Sequence, residues 1–410
     1  MPKQLVSIPT LVEAPFIIAK IGGVTFGSYT VNKYDFGNTV TYPNFMKSMS
    51  IVKVNGTVNT YKINFSYQVR PGDDPNLLDK IFSRASKDRK ITLQYGDWNA
   101  PNYIYKNEEA IITNVSSSLN MNNASIDYSI TCTSEVKGLS STKHDFPSRF
   151  AKPSDVIIEL LRAKKYGLGT VFSGMTDINK VLQNNLIASN DKKVRLVAQK
   201  DIDVLSYINY LVSCMINNNT LNNNLTTSKY FLSVHDDTMN KLGGTYFKIV
   251  EVSKHTNTIN SFDTYEVDVN FPGDNFVTQF SLNNDQSWAL LYDYNQTVRQ
   301  DDYTYDIDDN GNLITNYSPS LLRSAVNGEI SPTKTSWWTQ MTEFPISGTL
   351  TIKGLTRPSM LMSYVKINVW FNGGIKHISS GLYIITKQTD NIDNSGYKTT
   401  LSVLRVGGDN

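Results

Sequence analysis

Near both ends of this chain an apolar side chain recurs at every second residue, and a pleated strand is the regular backbone that gathers such a series on one face. Toward the C-terminus Leu350 and Ile352, then Val365, Ile367, Val369 and Phe371, keep that spacing; toward the N-terminus residues 50–54 and 61–67 alternate in the same way. Turn chemistry separates the runs. Gly354-Leu355-Thr356-Arg357-Pro358, Asn372-Gly373-Gly374 and Asp393-Asn394-Ser395-Gly396 supply positive-φ positions, and Asn55-Gly56 marks a tight turn between the N-terminal runs. With residues 379–386 and 397–406, the C-terminal sixty residues predict a four-strand unit.

A chain of 410 residues is too long for one core to grow efficiently, so two or three domains are expected. Its 40% apolar and 19% charged residues are globular values, and 23 tyrosines favour strands. A formal net charge of +2 gives no support to a dedicated DNA-binding module. Cys132 on a strand and Cys214 at a helix end make no disulfide framework; both are expected to stay reduced and buried. Residues 14–19 are too short an apolar run, and hold Pro15, so neither a signal peptide nor a membrane-spanning segment is expected.

From 16 to 135 the pattern is a strand at 24–26, a long hairpin, a helix, then strands at 90–95, 110–115 and 124–133. The helix is expected to be capped by Asp74 and to begin at Pro75, with Leu77, Leu78, Ile81, Phe82 and Ala85 on one face. One helix laid on a sheet or small barrel follows. The period then turns helical: Ser154 caps a segment with Ile157, Leu160 and Leu161 on one face, and Asp201 caps another with Val204, Leu205, Ile208, Leu211 and Val212. Residues 144–147 read as the linker into this part and 217–228 as an exposed loop. Strands return at 246–252, 264–271 and 276–282. A hairpin around Asn310-Gly311 and a short helix from Ser318 and Pro319 to Gly328 come next. Pro272-Gly273-Asp274-Asn275 echoes Pro71-Gly72-Asp73-Asp74, though the spacing after the echo is that of a strand and not of a helix.

Residues that carry chemistry are scattered. Of His144, His235, His255 and His377, only His235-Asp236-Asp237 stands beside acids, and neighbours on an extended chain point to opposite faces. Asp306 to Gly311 resembles the opening of a calcium loop, but Tyr317 stands where the bidentate glutamate belongs, and the hairpin reading is preferred. Adjacent Glu108 and Glu109 cannot hold the separation that glycoside hydrolysis needs. Trp288, Trp337 and Trp338 suit packing or interface anchoring better than sugar stacking. No Walker or dinucleotide fingerprint occurs. The expectation is no enzyme, with no catalytic, cofactor-binding or metal residues and no cofactor.

The order "fPisGtLtIkGLtRPsmLmsyVkInVwf", "GLYIIT" and "GYkTtLsvLRV" resembles the C-terminal part of phage baseplate central hub proteins, the late-control D family of contractile tails and injection systems. The N-terminal region is similar to the tube-type barrel of such proteins. This resemblance implies a mainly β fold with α+β parts: two tube-type β-barrel domains, each with a packed helix, plus a middle α/β domain. The domains expected are 1–142, 143–243 and 244–410, the last with an inserted hairpin and short helix at about 301–340. It also implies a homotrimer in which two similar domains per chain match a six-fold tail tube to a three-fold central spike. The partners implied are the tail tube protein, the spike and other baseplate proteins, with DNA passing through the lumen during ejection without sequence-specific binding. The location implied is the tail baseplate of the virion, after assembly in the host cytoplasm. A carbohydrate- or receptor-binding tail protein and a tail-associated cell-wall hydrolase are the alternatives.

Overall fold

The alternating runs build a molecule that is mainly β. The structure is a computed structural model describing residues 15–27, 45–83, 89–97, 106–122, 124–162, 191, 193–215, 229–236, 245–252, 263–268, 277–284, 306–307, 313–314, 346–354, 361–371, 374–393 and 395–407. Seven strands come first: β1 (Pro15–Ile21), β2 (Val24–Gly27), β3 (Phe45–Val54), β4 (Thr60–Gln68), β5 (Lys90–Asp97), β6 (Lys106–Asn120) and β7 (Ser125–Thr133). They hydrogen-bond in the order β3-β2-β1-β5-β6-β7-β4, and β4 pairs again with β3, so the barrel closes and keeps no free edge. Met49 and Ile51, Tyr61, Ile63 and Phe65, Ile91 and Leu93, and Tyr128 and Ile130 fill its interior. The sequence passes over β1, whose Pro15 sits at the first strand position, where a missing N–H costs least.

The helix of this barrel, α1 (Leu77–Phe82), begins two residues later than Asp74 and Pro75 suggest. Its N-cap is Asn76; Asp74 instead takes the Asn76 N–H on its Oδ1 and so turns the chain into the helix. Leu78 and Ile81 are buried as expected, and Phe82 meets Tyr128 edge-on across 5.5 Å. The β1–β2 turn fits closely under α1: Gly22 has φ +53°, and a Cβ there would overlap Ile81.

The middle of the chain packs a second core. Strand β8 (Lys143–Phe146), expected as a linker, pairs with β11 (Gln199–Asp203), while β9 (Arg149–Ala151) pairs with β10 (Val194–Leu196). Two helices, α2 (Pro153–Arg162) and α3 (Val204–Ser213), bury Val156, Ile157, Leu160, Val204, Leu205, Ile208, Leu211 and Val212. Both caps differ from the expectation. Ser154 lies inside α2 and binds Asp191 through its N–H and its hydroxyl. The cap of α3 is Asp203, whose Oδ1 accepts the Ser206 N–H; Asp201 has φ +53° and reaches Lys143 instead. Strand β12 (Lys229–His235) pairs with β13 (Tyr246–Val252), and Leu232, Val234, Phe247 and Ile249 join this middle core. Strand β13, expected to open the second barrel, belongs to this hairpin.

The remaining strands are β14 (Asp263–Asp268), β15 (Val277–Asn284), the small hairpin β16 (Asp306–Ile307) and β17 (Leu313–Ile314), β18 (Ile346–Lys353), β19 (Tyr364–Phe371), β20 (Ile375–Lys376), β21 (Gly381–Asp393) and β22 (Gly396–Gly407). A second sheet runs β14-β19-β21-β22-β18-β15. Leu350, Ile352, Val365, Ile367, Val369, Leu401 and Val403 are buried inside it. Phe371, at the end of β19, is 41% exposed, unlike the three alternate residues before it. The two sheets share β21: residues 381–384 pair with β19 and residues 387–392 pair with β3 along the same edge. One apolar cluster therefore runs from Ile17 through Val403. The helix expected between Ser318 and Gly328, Ala85 and the 217–228 loop lie outside the described residues.

Candidate functional site

The sharing of β21 gives the molecule one unbroken sheet face. Eight strands follow one another as β15-β18-β22-β21-β3-β4-β7-β6. On a pleated sheet, residues in register point to the same side, so the outward side chains can be read row by row. One row runs Gln279, Thr351, Thr400, Thr389, Val52, Thr60, Thr133. The next runs Lys353, Lys398, Asn391, Ser50, Lys62, Thr131, Asn114, and a third, confined to the first barrel, Ser48, Asn64, Ser129, Ser116. Hydroxyls and amides dominate these rows, with Lys62, Lys353 and Lys398 as cations; Val52 and, in register with Lys387, Val54 are apolar residues on the same side of β3. The face is hollowed where β3, β4, β7 and β6 meet, in a depression of about 580 Å³ lined chiefly by Lys47, Ser48, Asn64, Ser116, Asp127 and Ser129. There Lys47 pairs with Asp127 at 2.8 Å, and hydrogen bonds from Lys47 and Ser66 hold the Asp127 carboxyl below its ordinary pKa.

Nothing on this face is arranged to break bonds. Among its described residues it offers no paired nucleophile and base; of its cations Lys353 and Lys398 are cross-strand partners on β18 and β22, and Lys387 and Lys62 stand on β21 and β4. At the far end of the β6–β7 hairpin Leu119 and Met121 are 75% and 91% exposed, an apolar tip on an otherwise polar element.

Beneath the face, at the end of the first barrel away from α1, lies a buried polar cluster drawn from all three parts of the chain. Lys53 of β3 contacts Glu108 of β6, both side chains almost fully buried, and the Tyr95 hydroxyl donates to the same Glu108 Oε1 at 3.0 Å. Asp236, just after β12, accepts from Asn59 Nδ2 (2.8 Å), Tyr61 OH (3.0 Å) and Ser134 Oγ (2.6 Å) on Oδ2, and from Thr245 Oγ1 (2.7 Å) on Oδ1. Asp390 of β21 accepts from Thr399, Tyr397 and Gln388. Burial pulls the Lys53 ammonium down, but the charges of Glu108, Asp390 and Asp236 outweigh it and leave its pKa above the ordinary value. Burial raises the Asp236 carboxyl against the hydrogen bonds that lower it. Burial also drives Tyr61, Tyr95 and Tyr397 well above a free phenol, with the neighbouring carboxylates adding to it. The cluster ties the barrel and the middle part together, because Asp236 accepts from Asn59, Tyr61 and Ser134, all remote from it in sequence, and the register of β21 with β3 sets Asp390 beside it.

The residues weighed from sequence fall apart in space. Glu108 is buried in the barrel while Glu109 points to the other side. His235 Nε2 lies 2.8 Å from Ser233 Oγ, and its neighbour Asp236 is the acceptor just described. His377 Nδ1 is 2.7 Å from Ser379 Oγ, and His144 lies on β8 near Phe146. Among the described residues no group of three or more His, Cys, Asp or Glu is placed to hold a metal, and no helix is long and apolar enough to cross a membrane. His255, Trp288, Trp337, Trp338, the turn after Asp308 and Tyr317 lie outside the described residues. Trp370, which the sequence reading passed over, is partly covered, with the Lys376 ammonium 5.5 Å from its ring centre.

No protein-family model matches the chain, and no curated protein sequence matches it. Solved structures do resemble it. A 43 kDa tail protein of prophage MuSo2 from Shewanella oneidensis gives a TM-score of 0.49 at 10% identity, over 96% of this chain and 98% of that one. A tail protein from Neisseria meningitidis gives 0.47 at 8% identity, over 96% and 97%. The Francisella PdpA-VgrG complex gives 0.48 at 13% identity, over 97% of this chain and 53% of that one.

Proposed function

We propose that this chain is a structural hub of a phage tail baseplate, with three copies around an axis and their polar sheet faces turned to a central bore. The three likenesses above are too distant to carry this reading. The observation that carries it is the eight-strand face, which crosses from one sheet to the other without a break and is made mainly of Ser, Thr, Asn and Gln with a few lysines. An extended polar surface lacking both a reactive constellation and a clustered basic groove suits a wall along which a polyanion slides. Dense lysines would instead hold phosphates in a salt-dependent way. Two β units per chain give three copies six similar positions, so a six-fold tail tube can seat on one end and a three-fold spike on the other. The first unit reaches to about residue 142, the middle part runs on through β13, and the second unit begins at β14. The exposed Leu119 and Met121 suit contact with a neighbouring copy in a closed, head-to-tail ring. The role is structural and non-enzymatic, within the virion baseplate of a contractile tail, and DNA passes through the lumen at ejection.

Measuring the native mass, and class averages viewed along the axis, test the reading. A trimer with a central opening lined by the eight-strand face, β15, β18, β22, β21, β3, β4, β7 and β6, is expected. A stable monomer at micromolar concentration, or a ring that turns this face outward, overturns it.

A further inference from the structure

Lys53 and Glu108 stand in an environment that an ordinary ion pair does not require. They come from opposite walls of the seven-strand barrel, since three strands separate β3 from β6 in one direction and two in the other. Each side chain is at most 2% exposed, so water does not screen the pair. Met49 and Ile51 precede Lys53 on the inward register of β3, and Ala110 and Ile112 follow Glu108 on that of β6. The two carboxylate oxygens are also unequal: Oε1 meets the Lys53 Nζ and the Tyr95 hydroxyl, whereas Oε2 is buried with no hydrogen-bond partner. A buried carboxylate oxygen left bare is costly and calls for an explanation.

We propose that Lys53 and Glu108 join in an intramolecular isopeptide bond that spans the interior of the first barrel. The reaction is a condensation and needs no oxidant, reductant or further reactant. A proton first passes from the Lys53 ammonium to the Glu108 carboxylate, leaving a neutral amine beside a neutral acid, against the neighbouring carboxylates that hold the ammonium charged. The Nζ lone pair attacks Cδ, and the new C–N bond forms as the Cδ=O bond opens to a tetrahedral centre. When that centre collapses, the Cδ–Oε2 bond breaks and Oε2 leaves as water, with a second proton that nitrogen has shed. The bare oxygen is thus the leaving group. Oε1 stays as the amide carbonyl and keeps the Tyr95 hydrogen bond. Asp390, held by Thr399, Tyr397 and Gln388, lies in the same buried cluster. The product replaces two buried charges with one neutral amide and links residues 55 positions apart, tying the barrel walls together ahead of the junction with β21.

The intact mass of the full chain, measured after denaturation and with reductant present, tests this directly. The expected mass is that of the sequence less one water, and digestion should give a single branched peptide joining the segments that carry Lys53 and Glu108. The Lys53→Arg protein keeps a cation but forms no such bond, and should regain the full sequence mass. A wild-type protein of full mass overturns the proposal, as does a lost water that maps elsewhere, for instance to a cyclised aspartate. Because the wild-type measurement alone decides, a variant that fails to fold leaves the test intact.

Discussion

Replacing Asp236 with alanine takes an acceptor from four buried donors, Asn59 Nδ2, Tyr61 OH, Ser134 Oγ and Thr245 Oγ1, of which Asn59 Nδ2 keeps the Val234 carbonyl. A buried donor without a partner costs about 1–3 kcal/mol, so the three hydroxyls come to roughly 3–9 kcal/mol before they turn toward other acceptors. Part of this is returned. The Asp236 pKa is raised by burial, meaning that the charge itself is held at a cost, and alanine relieves that cost. A net loss of about 3–5 kcal/mol is expected, comparable with breaking a buried pair by removing one partner. Asp236→Asn keeps one acceptor oxygen in place and is expected to lose only about 1–3 kcal/mol. The pH dependence separates the two causes. A carboxyl whose folded pKa lies above its unfolded value loses stability as pH rises from the unfolded to the folded pKa, so the wild type should gain from mild acidification through this group and Asp236→Asn should not. Urea denaturation followed by tyrosine fluorescence gives the energies, and limited proteolysis shows whether β12 and the middle core come loose from the barrel. An alanine variant within about 1 kcal/mol of wild type would refute the view that Asp236 fastens these parts together.

Three further outcomes follow from the same structure. Gly22→Ala forces a side chain into φ +53° and against Ile81, and should cost about 1–3 kcal/mol in a denaturation midpoint; an unchanged midpoint would show that α1 does not press on the β1–β2 turn. Tyr61, Tyr95 and Tyr397 stay protonated in the fold above the pH at which free phenols ionise, near 10. Above that pH the folded state holds protons that the unfolded state has lost, and stability should fall by about 1.4 kcal/mol per pH unit for each group; tyrosinate absorbance should appear together with unfolding and not before it. Cys132 and Cys214 are free and buried, the latter pushed up to about 12, so an alkylating reagent should spare both in the native protein and label both after denaturation without reductant; failure to label under denaturing conditions would mean a disulfide.

Much of this fold could be read from period two, because Met49, Ile51, Tyr61, Ile63, Leu350 and Val365 announce their inward faces whatever strand they pair with. Pairing partners could not. Strand β13 alternates just as a barrel strand does, and only its register with β12 assigns it to the middle core. Helix caps failed for a local reason: Asp201 and Asp203 are two residues apart, and the signal that favours Asp203 is Ser206 three positions on, whose N–H it accepts. The buried cluster had a signal that was passed over. Lys53 continues the inward series of Met49 and Ile51, and Glu108 opens that of Ala110 and Ile112, so each is a charge standing where an apolar residue is due. The polar face was legible strand by strand as Ser, Thr and Asn in alternation, but its continuity was not, since it depends on β21 dividing one edge between β19 and β3.

The central claim is that the polar face lines a bore at the centre of a three-copy ring. An averaged image of the assembled particle along its axis, taken with wild-type protein and with a Leu119→Glu, Met121→Glu variant, tests it most directly. The account predicts a three-copy ring whose inner wall is the eight-strand face. It also predicts a variant that melts within about 0.5 kcal/mol of wild type, as surface substitutions do, yet fails to close the ring. A monomer that never assembles, or a ring presenting Ser48, Asn64, Thr389 and Thr400 on its outer surface, would contradict it.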